Sequence, residues 1–154
     1  MENVIPVIIS ATKEVFETMV FLDPEPVENL GVRELISSKI TGMIGIAGNY
    51  SGVLTFHCDK DTAMFITANM LGIEPSAVNP DTDIRDAIGE ITNMIAGNVK
   101  TKTCTPGDSF ELSIPTVIAG NNFSIGILAD SPSYVVPFKL GDNEVYVELI
   151  IQKV

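Results

Sequence analysis

The stretch IRDAIGEITNMIAGNV, residues 84 to 99, decides the fold. Ile84, Ile88, Ile91, Ile95 and Val99 recur at steps of three and four, the spacing that lines one face of an α-helix. The periodicity predicts a helix from about Ile84 to Lys102, with Asp83 as its N-cap. A helix so apolar on one side must lie on an apolar surface, and β-like segments flank it in sequence. Asp86, Glu90 and Asn93 form a second stripe at steps of four and three, so Glu90 and Asn93 project side by side from another face.

Residues 34 to 58 read as β. One strand runs up to Ile46, residues 48 to 52 (Gly-Asn-Tyr-Ser-Gly) make a turn, and Val53 to Cys58 return. Asp59 or Asp61 can cap a second helix that stops at Gly72. A first helix spans Pro6 to Leu22, with Ile8, Ala11, Val15 and Met19 on one stripe, and Asp23-Pro24-Glu25-Pro26 ends it. After the turn at Thr105 to Asp108, the chain is β. Short strands are predicted near Phe110 to Ser113 and Thr116 to Ala119, then Ser124 to Ala129, Tyr134 to Leu140 and Glu144 to Gln152, with Gly141-Asp142-Asn143 closing the last hairpin. These elements, strands and long helices, give an α/β (α+β) domain. It comprises a single domain over residues 1–154.

Two short patterns recur. IAGN occurs at 46–49 and 118–121, and Ser10-Ala11-x-x-Glu14-x-x-Glu17 parallels Asp86-Ala87-x-x-Glu90-x-x-Asn93. Two matches at similar offsets point to a weak internal duplication, with Glu17 standing where the second copy has Asn93.

Composition narrows the function classes. The net charge is -11, which repels phosphate backbones and anionic lipid and argues against nucleic-acid or membrane partners. No apolar run is long enough for a signal peptide or a membrane span, so a cytoplasmic protein is expected. Cys58 and Cys104 lack the spacing of a zinc site or a disulfide framework and read as free thiols. No clustered carboxylate triad marks a metal site, and Asp59-Lys60-Asp61 is better explained as capping, so no metal or cofactor is expected. His57, the sole histidine, lies in a strand without a triad partner and reads as structural or simply exposed.

The Asp86–Glu90–Asn93 stripe is not an ordinary solvated face. Gly89 and Gly97 each cost about 1 kcal/mol relative to alanine inside a helix, and asparagine is a poor interior helix residue. Bare glycines beside a Glu–Asn pair suit a surface that another backbone approaches closely. Gly97 near a C-cap and Gly89 in internal packing are the plainer alternatives.

This segment resembles the signature of the CheC/CheX/FliY phosphatases of bacterial chemotaxis, with the CheX type the nearest likeness. The pattern has Asp or Ser, three residues, Glu, two residues, Asn, and a proline well downstream, here Asp86, Glu90, Asn93 and Pro115. The flanks ITGMIG (40–45), MLG (70–72), NMIAGN (93–98), SIPTV (113–117) and VPF (136–138) extend the likeness over most of the chain. The resemblance implies a CheC-like fold, with a mainly antiparallel sheet packed against long helices, and an aspartyl-phosphate phosphatase. In such an enzyme Asn93 orients a water for in-line attack, and Glu90 ion-pairs with the lysine of a phosphorylated CheY-like response regulator. Asp86 would start the helix or support the pair. Any Mg²⁺ would belong to the partner receiver. An acyl phosphate is already reactive, so positioning suffices, and a neutral amide holds a water without repelling phosphate. One site is expected, because Glu17 replaces the amide in the first helix. A non-catalytic module that docks on a receiver or a motor protein is the alternative.

A homodimer is expected as well. The run EVYVELIIQ (144–152) is long and β-rich, and as an edge strand it would need pairing or cover. The same run could instead sit centrally, paired on both sides. The family resemblance implies a dimer joined through sheet edges, not necessarily through this strand.

Overall fold

The computed structural model describes residues 3 to 28, 40 to 120 and 131 to 154. Helix α1 (Val4–Val15) starts earlier than its stripe predicts, because Pro6 falls in the first turn, where its missing N–H is not needed. It runs on as a π-helical turn over Phe16–Val20. Phe21 then takes a left-handed conformation at φ 62°, ahead of Pro24 and Pro26. The two-residue strand β1 (Glu25–Pro26) follows.

Strands β2 (Ile40–Gly48) and β3 (Tyr50–Cys58) form the predicted hairpin. Its turn is tighter than expected, since Tyr50, Ser51 and Gly52 already belong to β3. Asn49 alone makes the corner, its N–H donating to the Ser109 carbonyl and its carbonyl accepting from Val154 N–H. The predicted β residues 34 to 39 lie outside the described residues. Helix α2 (Lys60–Leu71) is capped by Asp59, which accepts from Thr62 N–H at 2.7 Å, and ends on left-handed Gly72.

Helix α3 (Thr82–Thr103) begins differently from the expectation. Asp83 lies within the first turn, and its carboxylate accepts from Asn79 N–H. The Asn79 side chain takes the capping role, accepting from the backbone N–H groups of Asp81 and Thr82 at 2.9 and 3.1 Å. A short polar side chain two or three residues ahead reaches those amides better than one already inside the helix.

Strands β4 (Phe110–Leu112), β5 (Thr116–Ala119), β6 (Ser133–Leu140) and β7 (Asn143–Lys153) complete the described residues. The expected strand at Ser124 to Ala129 lies outside them. Among the described residues seven strands make one antiparallel sheet in the order β1-β6-β7-β3-β2, with β4 and β5 both on the outer side of β2. Strand β7 is therefore not an edge. It pairs with β3 along Tyr50–Cys58 and with β6 along Ser133–Leu140. Val145, Val147, Leu149 and Ile151 are buried on one face, and Tyr146 and Ile150 are nearly as buried on the other. It is this pairing on both sides that places β7 in the middle of the sheet.

The helices lie on one face of this sheet. The Phe16 and Phe56 rings meet at 6.0 Å, tying the end of α1 to β3. Ile84, Ile88, Ile91, Ile95 and Val99 of α3 are all at most 2% exposed, as the periodicity predicts. Each contributes roughly 1.5–3 kcal/mol by burial, which fixes the helix about its axis. Gly42 lets α3 sit close on β2, since a Cβ there would overlap Thr92 Oγ1. Helices α1 and α3 run side by side: Asn98 Nδ2 donates to the Ala11 carbonyl, and Lys102 pairs with Glu14 at 2.7 Å. His57 is a structural residue, buried in the sheet with Nδ1 at 2.9 Å from Thr41 Oγ1 and Nε2 at 2.8 Å from Thr55 Oγ1.

Candidate functional site

The anchored apolar face of α3 determines what its opposite face presents. Asp86, Glu90 and Asn93 are all exposed, and among the described residues no hydrogen bond or ion pair engages their side chains. Glu90 and Asn93 stand one helical step of three apart, a spacing that sets their Cβ atoms about 5–6 Å from each other. A carboxylate and a carboxamide so placed, and free to turn outward, can contact one ligand group together.

The surface beside them is built by the break between β4 and β5. Ile46 pairs with Leu112, and Met43 pairs with Thr116. Between these pairs Ile44 and Gly45 face three residues, Ser113, Ile114 and Pro115, so the outer strand carries a β-bulge. Ser113 anchors it on both sides: its N–H donates to the Gly45 carbonyl at 2.9 Å, and its Oγ accepts from Gly45 N–H at 2.8 Å. The Pro115 ring and the Val117 side chain lie over Gly89, where an added Cβ would meet them at 3.9 and 3.5 Å. Pro115 is thereby brought next to the residue that precedes Glu90. The sequence pattern joined these positions across a long gap, and the sheet places them together. The bulge itself was missed; its signal was a proline between two short strands, which cannot donate to a ladder.

The two helix glycines part company. Gly89 is buried against β5, and its neighbours leave ordinary van der Waals room for a methyl group. Gly97 is no C-cap, since α3 continues to Thr103. Among the described residues nothing outside the helix backbone would meet a Cβ at Gly97 within 4 Å, and the residue lies one turn beyond Asn93 on the same face.

The matching stripe on α1 is occupied differently. Glu14, the counterpart of Glu90, is held by Lys102, and Glu17 stands in the π-helical turn. Among the described residues no cluster of three His, Cys, Asp or Glu is arranged to hold a metal ion. No helix among them is long and apolar enough to cross a membrane. Cys58 is buried, which pushes its thiol pKa far up, and Cys104 is partly exposed; both are free.

Residues 40–139 match the family model described as Chemotaxis phosphatase CheX. The chain belongs to this CheX family. Over 125 residues it is 26% identical to the protein described as CheY-P phosphatase CheX from Thermotoga maritima, covering 80% of this chain and 79% of that one. A CheC-like superfamily protein from Shewanella sp. PV-4 superposes with a TM-score of 0.84 at 26% identity, over 99% of both chains. The CheX of Borrelia burgdorferi, solved in a complex with CheY, BeF3 and Mg²⁺, shares the fold with a TM-score of 0.84 at 23% identity, over 99% of this chain and 100% of that one. The fold is thus the CheC-like α+β fold that the sequence resemblance implied.

Proposed function

We propose that this chain hydrolyses the aspartyl phosphate of a CheY-like receiver domain. Asn93 orients the attacking water and Glu90 docks on the receiver's lysine. The observation that carries the reading is the exposed Glu90–Asn93 pair, without a partner among the described residues, on a helix whose other face is fixed in the core. The Asn93 carboxamide accepts a hydrogen bond from the water through its oxygen and can donate one through its nitrogen, so it aligns the water without adding negative charge beside the phosphoryl group. The water oxygen attacks phosphorus in line as the P–O bond to the aspartyl carboxylate breaks, giving inorganic phosphate and a free receiver aspartate. Glu90 fixes register through an ion pair, which acts on docking more than on the chemical step. Asp86, one turn before Glu90 on the same face, supports the acidic rim. The relative crystallised with CheY and Mg²⁺ supports placing the metal on the receiver. Here too the metal would neutralise charge on the phosphoryl oxygens from the partner's side.

The test is the decay of a phosphorylated CheY-type receiver with and without this protein. Acceleration by wild type, lost in Asn93→Ala with the melting temperature unchanged, is the expected result. Binding without acceleration would make the chain a docking module. Full activity in Asn93→Ala would remove the amide from the mechanism.

A further inference from the structure

Ile114 is 85% exposed, more than any other large hydrophobic side chain among the described residues. It stands at the centre of the bulge between β4 and β5, and each neighbour restrains it. Ser113 is bonded to Gly45 through both its N–H and its hydroxyl. Pro115 has a ring-fixed φ and rests over Gly89, directly before Glu90. Bulges beside functional sites commonly re-aim a side chain, and a β-branched residue has few rotamers left to lose. The protein thus holds a stiff apolar side chain in water, next to its Glu–Asn pair. On a sheet edge such a residue invites aggregation unless a partner covers it.

We propose that Ile114 is an apolar anchor that seats in a recess of the receiver beside its phosphorylation site; this rests on the receiver-phosphatase reading above. The arrangement is that of an interface hot spot, with one rigid apolar residue at the contact and Asp86 and Glu90 as its polar rim. Because the bulge fixes Ile114 before binding, little ordering is left to oppose association. The contact is made equally before and during hydrolysis, so it governs KM and leaves kcat alone.

The experiment measures receiver dephosphorylation against receiver concentration for wild type, Ile114→Ser, Ile114→Leu, Asn93→Ala and an edge control, Ile118→Ser. Binding of the receiver charged with beryllium fluoride and Mg²⁺ is measured alongside by calorimetry. Ile114→Ser is expected to raise KM and Kd about tenfold or more, the low end of what burying an isoleucine is worth. Its kcat should stay within about twofold, and Ile114→Leu should recover most of the affinity. Ile118→Ser should behave as wild type. An unchanged KM in Ile114→Ser, with Asn93→Ala inactive, would overturn the anchor and leave the phosphatase reading standing. A halved mass of Ile114→Ser by light scattering would assign the side chain to a contact between copies of this chain, and would also overturn it. No acceleration by wild type would remove the phosphatase reading and the anchor with it.

Discussion

Gly97→Ala separates a glycine kept for folding from one kept for a partner. The residue sits well inside α3, with helix on both sides, and among the described residues nothing beyond the helix's own adjacent backbone lies within 4 Å of the added methyl group. Alanine is favoured over glycine in a helix interior by about 1 kcal/mol, partly by restricting the unfolded chain. With no clash to oppose it, the variant should be more stable. For a domain of this size that corresponds to a rise of about 2–4 °C in melting temperature. The receiver meets the opposite consequence. If its backbone approaches α3 beside Asn93, the methyl group occupies space the interface needs, and overpacking of this kind costs at least about 1 kcal/mol. That is about fivefold in KM. Calorimetric melting together with dephosphorylation kinetics at varied receiver concentration reads both effects on one protein. A raised melting temperature with an unchanged KM would refute the reasoning and leave Gly97 a residue without a docking role.

Gly42→Ala should act in the other direction. Its methyl group would overlap Thr92 Oγ1, which is fully buried and bonded to the Ile88 carbonyl at 2.7 Å, so a loss of about 1–3 kcal/mol in stability is expected from denaturant unfolding; stability equal to wild type would mean that α3 is not seated as described. His57 supplies a pH dependence: burial lowers its pKa below 6.5, and Glu148 on the facing strand offsets this only partly. The unfolded state therefore takes up the proton first, so the melting temperature should fall as pH drops below about 6.5 and this contribution should level off once the folded state is protonated too. His57→Gln should remove that part of the slope, and identical slopes in the two proteins would count against it. A homodimer is expected to give twice the 16.5 kDa chain mass by light scattering at micromolar concentration, whereas a monomer would exclude it.

What the sequence determined by itself is local. The helix α3, its buried isoleucine stripe and its exposed Asp86–Glu90–Asn93 stripe follow from a repeat of 3.6 residues, because every residue in a helix sees the same turn geometry. The cap at Asp59, the stop at Gly72 and the hairpin around Asn49 follow from side chains within a few residues of the atoms they satisfy. The family likeness added the fold and pointed to Glu90 and Asn93 as the candidate pair. Tertiary structure decided what depends on neighbours distant in the chain. Alternating residues in β7 fit an edge or a central strand equally well, and only the flanking β3 and β6 make it central. The Asn79 cap displaced the expected Asp83 because the loop ahead of α3 folds back on the helix start. Pro115 reaches Gly89, and Ile114 is left exposed, because β2 pairs with β4 and β5 in registers that differ by one residue. Register across a sheet is a property of two strands at once, and neither strand's sequence carries it alone.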